Sequence, residues 1–308
     1  MSSVIFIVGP TATGKTDLSL SLAKHIGGEI ISCDSMLIYK EPRIITSKPT
    51  ATMLRDVRHH FVDIVSVTQA YNVFDYYSSA TKKIEDLHAK NVPVIVCGGS
   101  GLYAKALLDG IFQGAGKDEE LRQNLQDRAN ECGIESLYQE LVEVDCESAE
   151  KIAHNDLRRI IRALEVYHTD GVPFSQKKKE VDGLFGKLPI KIFALKLDRN
   201  KLYERINQRV DEMFESGAVN EVKELLKVPL SITAAKIIGI KEITACIDEE
   251  SDINCAKAEI AKNTRNFAKR QITWFKKDQR IQWIEADNLT IEQAKNEIIR
   301  HCASTERG

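Results

Sequence analysis

Residues 9–16 of the chain read Gly9-Pro10-Thr11-Ala12-Thr13-Gly14-Lys15-Thr16. The apolar run Val4–Val8 precedes them and predicts a buried strand of a parallel sheet. Apolar residues at helical spacing follow them, so the segment lies between a strand and a helix. In that context the pattern G-x-x-x-x-G-K-[ST] forms a P-loop. We therefore predict an α/β protein with a parallel sheet flanked by helices.

The chemistry expected of this loop is the binding of a diphosphate or triphosphate group. Gly9 and Gly14 allow the backbone to curl with positive φ, so that successive N–H groups point towards phosphate oxygens. The start of the following helix adds a partial positive charge. Lys15 supplies a mobile cation, and Thr16 supplies a hydroxyl ligand for Mg²⁺. The loop alone does not determine which molecule carries the phosphates.

The composition excludes some classes of protein. The chain has 308 residues, a formal net charge of −2 and seven scattered cysteines. This charge excludes a wholly basic nucleic-acid coat protein, so any contact with RNA must come from local basic patches. The odd number of cysteines and the lack of a signal peptide lead us to expect reduced thiols in a cytoplasmic protein. Because no apolar stretch approaches the length of a membrane span, we expect no membrane partner.

A second strand, Glu29–Cys33, leads directly into Asp34 and Ser35. In an open α/β sheet, functional groups gather at the carboxyl ends of the strands. Asp34 is therefore predicted to lie beside the P-loop, as a candidate for a chemical role. The alternative is a carboxylate that caps a helix or stabilises a turn.

A further apolar strand, Val92–Cys97, ends in the glycine-rich turn Gly98–Gly101. In an ATPase or kinase of the P-loop class, the corresponding strand ends in an acidic residue that holds Mg²⁺. Glycines and Ser100 take that place here, which argues against phosphoryl transfer. The turn suits a backbone that approaches a substrate closely, with Ser100 as a hydrogen-bond donor.

The character of the chain changes between residues 113 and 185, where polar helices replace strand-like runs. We predict an all-α insertion domain here, within a P-loop NTPase-like core formed by residues 1–112 and 186–308. The insertion carries cations on one predicted helix and in one predicted loop, namely Arg158, Arg159, Arg162 and Lys177–Lys179. These cations indicate a contact with nucleic acid, although a charge run is more often a solvated face.

The second part of the core supplies further cationic segments. After a strand at Ile190–Leu195, a helix places Arg205 and Arg209 four residues apart, on one side of its apolar stripe. Residues 236–241 form a short basic turn, and a long helix from residue 263 to residue 275 mixes cations with aromatic residues. The long helix also has the composition of a core-packed helix whose cations extend into solvent.

Six motifs occur in order along the chain: GPTATGKT, DSMLIYK, GGSGLYAKALLDG, NDLRRIIRALEVY, DRNKLYERINQRVDEM and TRNFAKRQITWF. Together they cover most of residues 4–283 and resemble the tRNA dimethylallyltransferase (tRNA isopentenyltransferase) family. The resemblance implies transfer of a dimethylallyl group from dimethylallyl diphosphate to N6 of adenosine 37, which neighbours the anticodon in tRNAs that read codons beginning with U. It further implies a helical insertion that holds the anticodon stem. We expect a monomer that uses Mg²⁺.

The resemblance also implies roles for individual residues. Asp34 would accept the proton of N6, while Lys15, Arg209 and the P-loop amides would stabilise the diphosphate, with Arg205 nearby. Ser100 would be a further catalytic residue, and Thr16 would hold Mg²⁺. The residues expected to contact tRNA are Asp34, Ser35, Met36, Leu37, Ser100, Arg122, Arg158, Arg159, Ile160, Ile161, Arg162, Lys236, Ile237, Ile238, Gly239, Ile240 and Lys241.

The chain departs from the family pattern at several positions. After Tyr39 the family usually continues with a glycine and then D-I-G-T-A-K-P, whereas this chain reads E-P-R-I-I-T-S-K-P at residues 41–49. Ser100 replaces the usual threonine but keeps the hydroxyl. His154 replaces a usual proline, and Ile240 replaces a usual tyrosine. The altered loop affects the expected RNA specificity more than the expected chemistry.

Three other classes fit part of the sequence. An adenylate isopentenyltransferase acting on free AMP, ADP or ATP would need neither the arginines of the insertion nor the basic C-terminal helix. A small-molecule P-loop kinase would need an acidic residue at the end of the strand at 92–97. A non-catalytic RNA-binding protein would give no reason for Lys15, Thr16 and Asp34.

Overall fold

The computed structural model describes residues 3–112, 118–179 and 181–304. The chain divides into two compact units. The core unit consists of Met1–Leu108 and Leu184–Gly308, and the insertion unit consists of Asp109–Gly183.

The core unit is built on a six-stranded sheet with the strand order β3-β2-β4-β1-β5-β6. Every pairing between neighbouring strands is parallel. The strands are β1 (Val4–Val8), β2 (Glu29–Ser32), β3 (His59–His60), β4 (Val94–Cys97), β5 (Ile190–Lys196) and β6 (Gln282–Glu285). The predicted α/β fold with a parallel sheet is therefore confirmed.

The helices fall into three groups along the chain. Those of the first part of the core unit are α1 (Lys15–Ile26), α2 (Ala51–Asp56), α3 (Val73–Ala89) and α4 (Gly101–Asp109). The insertion unit contains α5 (Glu119–Cys132), α6 (Ile134–Val144), α7 (Cys146–Lys151), α8 (Leu157–Asp170) and α9 (Phe174–Lys179). The second part of the core unit contains α10 (Arg199–Glu215), α11 (Ala218–Leu225), a 3₁₀ turn (Ala234–Lys236), α12 (Ile240–Ile247), α13 (Ile253–Phe275) and α14 (Ile291–Ser304).

The central strand β1 is buried on both faces, because alternate side chains of a strand point to opposite sides. Val4, Phe6 and Val8 pack with residues of α3 and α4. Ile5 and Ile7 pack with residues of α1 and α14. A strand covered on both sides needs a continuous apolar run, which is why Val4–Val8 contains no polar residue.

The strand order brings three chain segments to one edge of the sheet. β4 lies between β1 and β2, in register with Ile7 opposite Cys97 and Ser32 opposite Cys97. Because the strands are parallel, the P-loop after β1, Asp34 after β2 and the glycine turn after β4 all follow carboxyl ends at this edge.

Some local expectations are wrong. The mixture of proline, threonine, arginine and histidine in residues 40–60 predicts a surface loop. The segment instead contains α2 and the short strand β3, which pairs with β2. The lysines 177–179, expected in a loop, form the last residues of α9. Among the residues that the structure describes, no helix is both long and apolar enough to span a membrane.

The insertion unit is held together by an apolar cluster and by one buried carboxylate. Leu125, Leu141 and Leu164 belong to the apolar cluster of α5, α6 and α8. Glu165 of α8 has an exposed fraction of 0%. Arg122 donates to both of its oxygens at 2.7 and 2.9 Å, and Nη1 of Arg162 donates to Oε2 at 2.7 Å.

The two arginines change the acidity of the buried carboxyl group. Burial by itself raises the pKa of Glu165. The hydrogen bonds and charges of Arg122 and Arg162 lower it by more than burial raises it, so the pKa lies below its usual value. Because Arg122 belongs to α5, the ion pair fixes α5 against α8.

We expect Glu165→Gln to destabilise the insertion unit by about 1–3 kcal/mol, because two partly exposed guanidinium groups lose their counter-charge. Hydrogen exchange of the α5 and α8 amides measures this loss, and Glu135→Gln on the exposed side of α6 is the control. Because the pKa is lowered in the folded state, the carboxylate stabilises the fold fully at a pH above its pKa in the unfolded chain, about 4.3. That contribution is lost as the pH falls through the folded pKa, and equal protection in both variants would contradict the prediction.

Candidate active site

The P-loop has the backbone conformation that its glycines predict. Gly9 and Gly14 have φ of +123° and +87°, and Ala12 also has a positive φ of +63°. A Cβ at Gly9 would lie 3.1 Å from the carbonyl oxygen of Leu195 on β5, so this position favours glycine for space as well as for conformation. The loop is closed internally by the Thr13 hydroxyl, which donates to the Pro10 carbonyl at 2.9 Å.

Lys15 lies at the start of α1 with only 9% of its surface exposed. Its ammonium donates to the carbonyl oxygen of Pro10. Burial is the main reason why its pKa is lowered to about 8; the nearby charge of Asp34 opposes this shift, and that of Arg209 adds to it. Lys15 is thus a desolvated cation that a bound anion would stabilise.

Arg209 reaches the P-loop from α10. Its Nη1 donates to the Thr11 hydroxyl at 2.9 Å, and its Nε donates to the Ser47 hydroxyl at 2.6 Å. Burial lowers the pKa of Arg209, and the charge of Asp34 opposes the shift. Arg205, one turn earlier on α10, is exposed, and no contact joins it to the P-loop within the described residues.

Asp34 follows β2 and combines the two roles that the sequence left open. Its Oδ1 accepts the N–H of Met36 at 2.9 Å, which is the turn-stabilising role. Within the described part of the chain, its Oδ2 has no hydrogen-bond partner. One oxygen of Asp34 therefore fixes the turn, and the other is available to a substrate.

Ser100 links the turn after β4 to the segment after β2. Its hydroxyl accepts the N–H of Ser35 at 3.0 Å and lies 3.3 Å from the Ser35 hydroxyl, and its N–H donates to the Cys33 carbonyl at 3.1 Å. Ser35, together with the neighbouring residues Met36 and Leu37, is partly exposed. Ser100 thus contacts the two residues that flank Asp34, Cys33 and Ser35.

The glycines of the turn have a different reason from the one predicted. A Cβ at Gly98 would lie 2.0 Å from the Cys33 carbonyl oxygen. At Gly99 it would lie 2.1 Å from Nε2 of Gln271, and at Gly101 it would lie 2.3 Å from Cδ1 of Trp274. The turn needs glycine because Cys33, directly after β2, and side chains of α13 pack against it, before any substrate is considered.

Sequence reasoning missed two side chains of this site. Gln271, with an exposed fraction of 5%, accepts the N–H of Thr11 at 2.8 Å and donates to the Gly99 carbonyl at 2.9 Å. Ser47 holds Arg209, as described above. A single glutamine in a long helix and a serine in an irregular loop carry no spacing pattern, so only the assembled structure reveals them.

The residues predicted to bind tRNA from the insertion unit divide into two groups. Arg158 and Arg159 are exposed on α8, and Arg159 is 3.3 Å from Asp156. Arg122 and Arg162 contact Glu165, so their charges serve the insertion unit itself. The structure corrects the prediction for the Ile160 side chain, which is buried in the apolar cluster, and Ile161 packs against the same cluster.

The basic turn at residues 236–241 is more ordered than predicted, since it joins the 3₁₀ turn to the start of α12. Lys236 and Lys241 are exposed. The side chains of Ile237 and Ile240 are buried, and Ile238 packs against the same cluster, so the exposed side chains of this turn are those of its two lysines. Gly239 has a φ of +109°, and its N–H donates to Glu242 at 2.9 Å.

The site offers few ligands for a metal ion. Among the described residues, no group of three or more His, Cys, Asp or Glu side chains could hold a metal. His60 contacts Glu29, and His59 contacts the Val57 carbonyl, so this histidine pair is part of the packing. Thr16 is exposed in the first turn of α1. Its hydroxyl fits a metal ion that is held mainly by phosphate oxygens.

The arrangement as a whole separates positive from negative charge. Lys15, Arg209 and the P-loop amides present donors to an anion, and Asp34 presents a free carboxylate oxygen. Such a site can stabilise an anionic leaving group at one end and accept a proton at the other.

Comparisons with known proteins agree with this geometry. The model of the IPP transferase family matches residues 37–278. tRNA dimethylallyltransferase 2 of Geotalea daltonii is 40% identical over 284 residues, which cover 92% of this chain and 87% of that protein. tRNA dimethylallyltransferase of Halothermothrix orenii is 41% identical over 300 residues, which cover 96% of this chain and 92% of that protein.

Solved structures give the same result. The tRNA isopentenylpyrophosphate transferase of Bacillus halodurans has a TM-score of 0.72 at 33% identity, covering 99% of this chain and 96% of that one. A eukaryotic dimethylallyltransferase acting on tRNA has a TM-score of 0.81 at 27% identity, covering 94% of this chain and 75% of that one. By the extent of the family match and the identity to its relatives, this chain belongs to the IPP transferase family.

Proposed function

We propose that this protein transfers the dimethylallyl group of dimethylallyl diphosphate to N6 of adenosine 37 in tRNAs that read codons beginning with U. The products are N6-(dimethylallyl)adenosine and diphosphate. The observation that carries this proposal is that the P-loop, with Lys15 and with Arg209 bound to it, and the carboxylate of Asp34 lie at the same carboxyl edge of the sheet. Family membership and the names of the relatives support the same reaction.

The acceptor needs a base, because the lone pair of the adenine N6 amine is delocalised into the purine ring. Asp34 accepts an N6 proton as the new C–N bond forms, which restores electron density to the nitrogen. The free oxygen of its carboxylate, Oδ2, is suited to this role, since Oδ1 is held by the Met36 N–H.

The donor needs stabilisation of its leaving group, because diphosphate gains negative charge as the allylic C–O bond breaks. Lys15, the P-loop N–H groups and Arg209 supply positive charge and hydrogen bonds for that purpose. Mg²⁺, bound through the diphosphate and the Thr16 hydroxyl, would neutralise part of the same charge. Phosphorus is not attacked in this reaction, which agrees with the lack of an acidic residue at the end of β4.

The RNA must present an adenine that is otherwise stacked in the anticodon loop, so the base has to be flipped out. In this proposal Ser35, Met36, Leu37 and Ser100 contact that base or its neighbours, which is supported by the bonds of Met36 to Asp34 and of Ser35 to Ser100. The exposed cations Arg158, Arg159, Lys236 and Lys241 are the candidates for contacts with RNA phosphates. We further propose that the protein acts as a monomer in the cytoplasm, where its tRNA substrates are.

Activity assays decide between tRNA and free nucleotide as the acceptor. Purified protein is incubated with dimethylallyl diphosphate, Mg²⁺ and either an anticodon stem-loop or AMP. We expect transfer to the stem-loop at A37 and little or no transfer to AMP. Loss of the modified adenosine from bulk tRNA of cells that lack the protein tests the same proposal, and a better reaction with AMP would overturn it.

Lys15→Ala should reduce transfer by orders of magnitude and leave tRNA affinity nearly unchanged, because Lys15 serves the diphosphate. The pKa of about 8 for Lys15 in the protein without a bound anion gives a second expectation. Diphosphate stabilises the ammonium form, so above pH 8 binding requires proton uptake, and the affinity should fall as the pH rises.

Inorganic diphosphate is therefore titrated against the parent protein and Lys15→Ala between pH 6.5 and pH 9.5, roughly the window around that pKa. The Ala variant reports the ionisation of the diphosphate itself, so the difference between the curves belongs to Lys15. Parallel curves, or equal losses of tRNA and diphosphate affinity, would show that the loop is not a dedicated diphosphate site.

Asp34→Asn keeps the shape of the side chain and its bond to Met36 but is a much weaker proton acceptor. We expect the single-turnover rate to fall by roughly 10² or more, within the usual range for loss of a general base. Diphosphate binding should change little. A near-normal single-turnover rate would restrict Asp34 to its turn-stabilising role.

Replacing both Arg158 and Arg159 by alanine should weaken tRNA binding, because two cations that can pair with RNA phosphates are removed. The slope of log affinity against log salt concentration should decrease in magnitude by somewhat under one for each phosphate that is no longer neutralised. In the activity assay, KM for the stem-loop should rise while kcat stays the same. Arg128→Ala is the matched control, since Arg128 lies in the same unit but pairs with Glu140 at 2.7 Å. An unchanged slope in the double variant would show that these arginines are exposed to solvent and do not contact RNA phosphates.

A further inference from the structure

Gln271 is the one side chain of α13 that bonds to two separate loops of the candidate active site in the described structure. Its Oε1 accepts the Thr11 N–H at 2.8 Å, and its Nε2 donates to the Gly99 carbonyl at 2.9 Å. The amide is nearly removed from water, with 5% of its surface exposed. Both polar ends of the buried amide are thus satisfied by backbone groups of the site.

The backbone of the glycine turn packs closely against Gln271. A Cβ at Gly99 would lie 2.1 Å from the amide nitrogen and 3.2 Å from the Gly9 carbonyl oxygen. Two loops and one helix therefore meet at this amide. A side chain that is packed this closely and bonded at both ends has a fixed position and can fix its partners.

The two loops that Gln271 joins carry the groups with chemical roles. Thr11 follows Pro10 in the P-loop, and its hydroxyl accepts Nη1 of Arg209 at 2.9 Å. Gly99 precedes Ser100, whose hydroxyl accepts the N–H of Ser35 next to Asp34. A continuous series of hydrogen bonds thus runs from Arg209 through Thr11 and Gln271 to the turn that carries Ser100.

The Thr11 N–H has a further significance. It is a donor of the P-loop, but it points to Gln271 and is used by the protein. Because of its bond to Gln271, an anion is left to the other donors of the site, namely Lys15, Arg209 and the remaining P-loop N–H groups. The shape of the loop is therefore set in part by α13, which lies 260 residues away in sequence.

We propose that Gln271 is a positioning residue for the transfer reaction, which holds the P-loop with Arg209 at a fixed distance from the turn with Ser100. This inference rests on the proposed function, because Arg209 and the P-loop are taken to bind the diphosphate. Gln271 does not contact the reacting atoms. It acts through Thr11 on the donor side and through Gly99 on the acceptor side.

Gln271→Met tests this role, because methionine has a similar length but cannot form either hydrogen bond. We expect kcat/KM for transfer to fall about ten- to hundredfold, the size of effect that a small displacement of reacting groups produces. KM for dimethylallyl diphosphate should rise and kcat should fall, while the affinity for the stem-loop stays within about twofold of the parent value, because no RNA-binding group is removed. Gly99→Ala, which displaces the amide from the other side, should have the same effects.

A double-mutant cycle separates positioning from general loss of stability. In the Arg209→Ala background, Gln271→Met should lower kcat/KM by clearly less than in the parent, because the group that it positions is gone. Ile84→Ala in α3 is the stability control; Ile84 has an exposed fraction of 0%, so the variant loses thermal stability without touching the site. It should keep the parent values of both KM constants.

The outcomes are distinguishable. Equal effects of Gln271→Met in the two backgrounds, or the same kinetic losses in Ile84→Ala, would overturn the positioning role. Unchanged kinetics in Gln271→Met would overturn it as well. If the parent protein did not bind inorganic diphosphate through Lys15, the proposed function itself would fail, whatever the behaviour of Gln271→Met.

Discussion

Lys15 and Arg209 are cations that are largely removed from water, and in the described structure neither forms an ion pair with a carboxylate. Desolvation of an unpaired charge is unfavourable, as the lowered pKa of both groups shows. The protein offers them only neutral partners, a carbonyl for Lys15 and two hydroxyls for Arg209. The remaining charge is available to an anionic ligand, and the fold has to hold the two cations in place until that ligand binds.

The sheet and the P-loop could be predicted because their signals are local and strong. Val4–Val8 is a strand because it is apolar throughout, and the glycine pattern after it requires positive φ at fixed positions. The position of Asp34 followed from one rule, that parallel strands end at the same edge of a sheet. The long apolar stripe of α10 likewise predicted its buried face, Leu202, Ile206, Val210 and Met213 among them.

What could not be predicted depends on pairs of residues that are distant in the sequence. A run of arginines indicates a basic surface, but only packing shows that Arg162 turns inward to Glu165 and that Arg122 joins it from another helix. Residues 236–241 have basic composition, yet Ile237 and Ile240 are buried in an apolar cluster. Composition indicates where charge lies along the chain, while the direction of each side chain is decided by the core beneath it.

The strand order explains how one site can hold a carboxylate and two cations that form no ion pair with it. β4 lies between β1, which carries the P-loop, and β2, which carries Asp34. Two strand spacings amount to about 10 Å, so the carboxylate is kept apart from the phosphate-binding loop. An acidic residue at the end of β4 would lie directly beside Lys15 and oppose the binding of diphosphate. Glycines and Ser100 at that point leave the gap uncharged. In the proposed reaction the allylic carbon lies in this gap, where its bond to the diphosphate oxygen breaks and its bond to N6 forms.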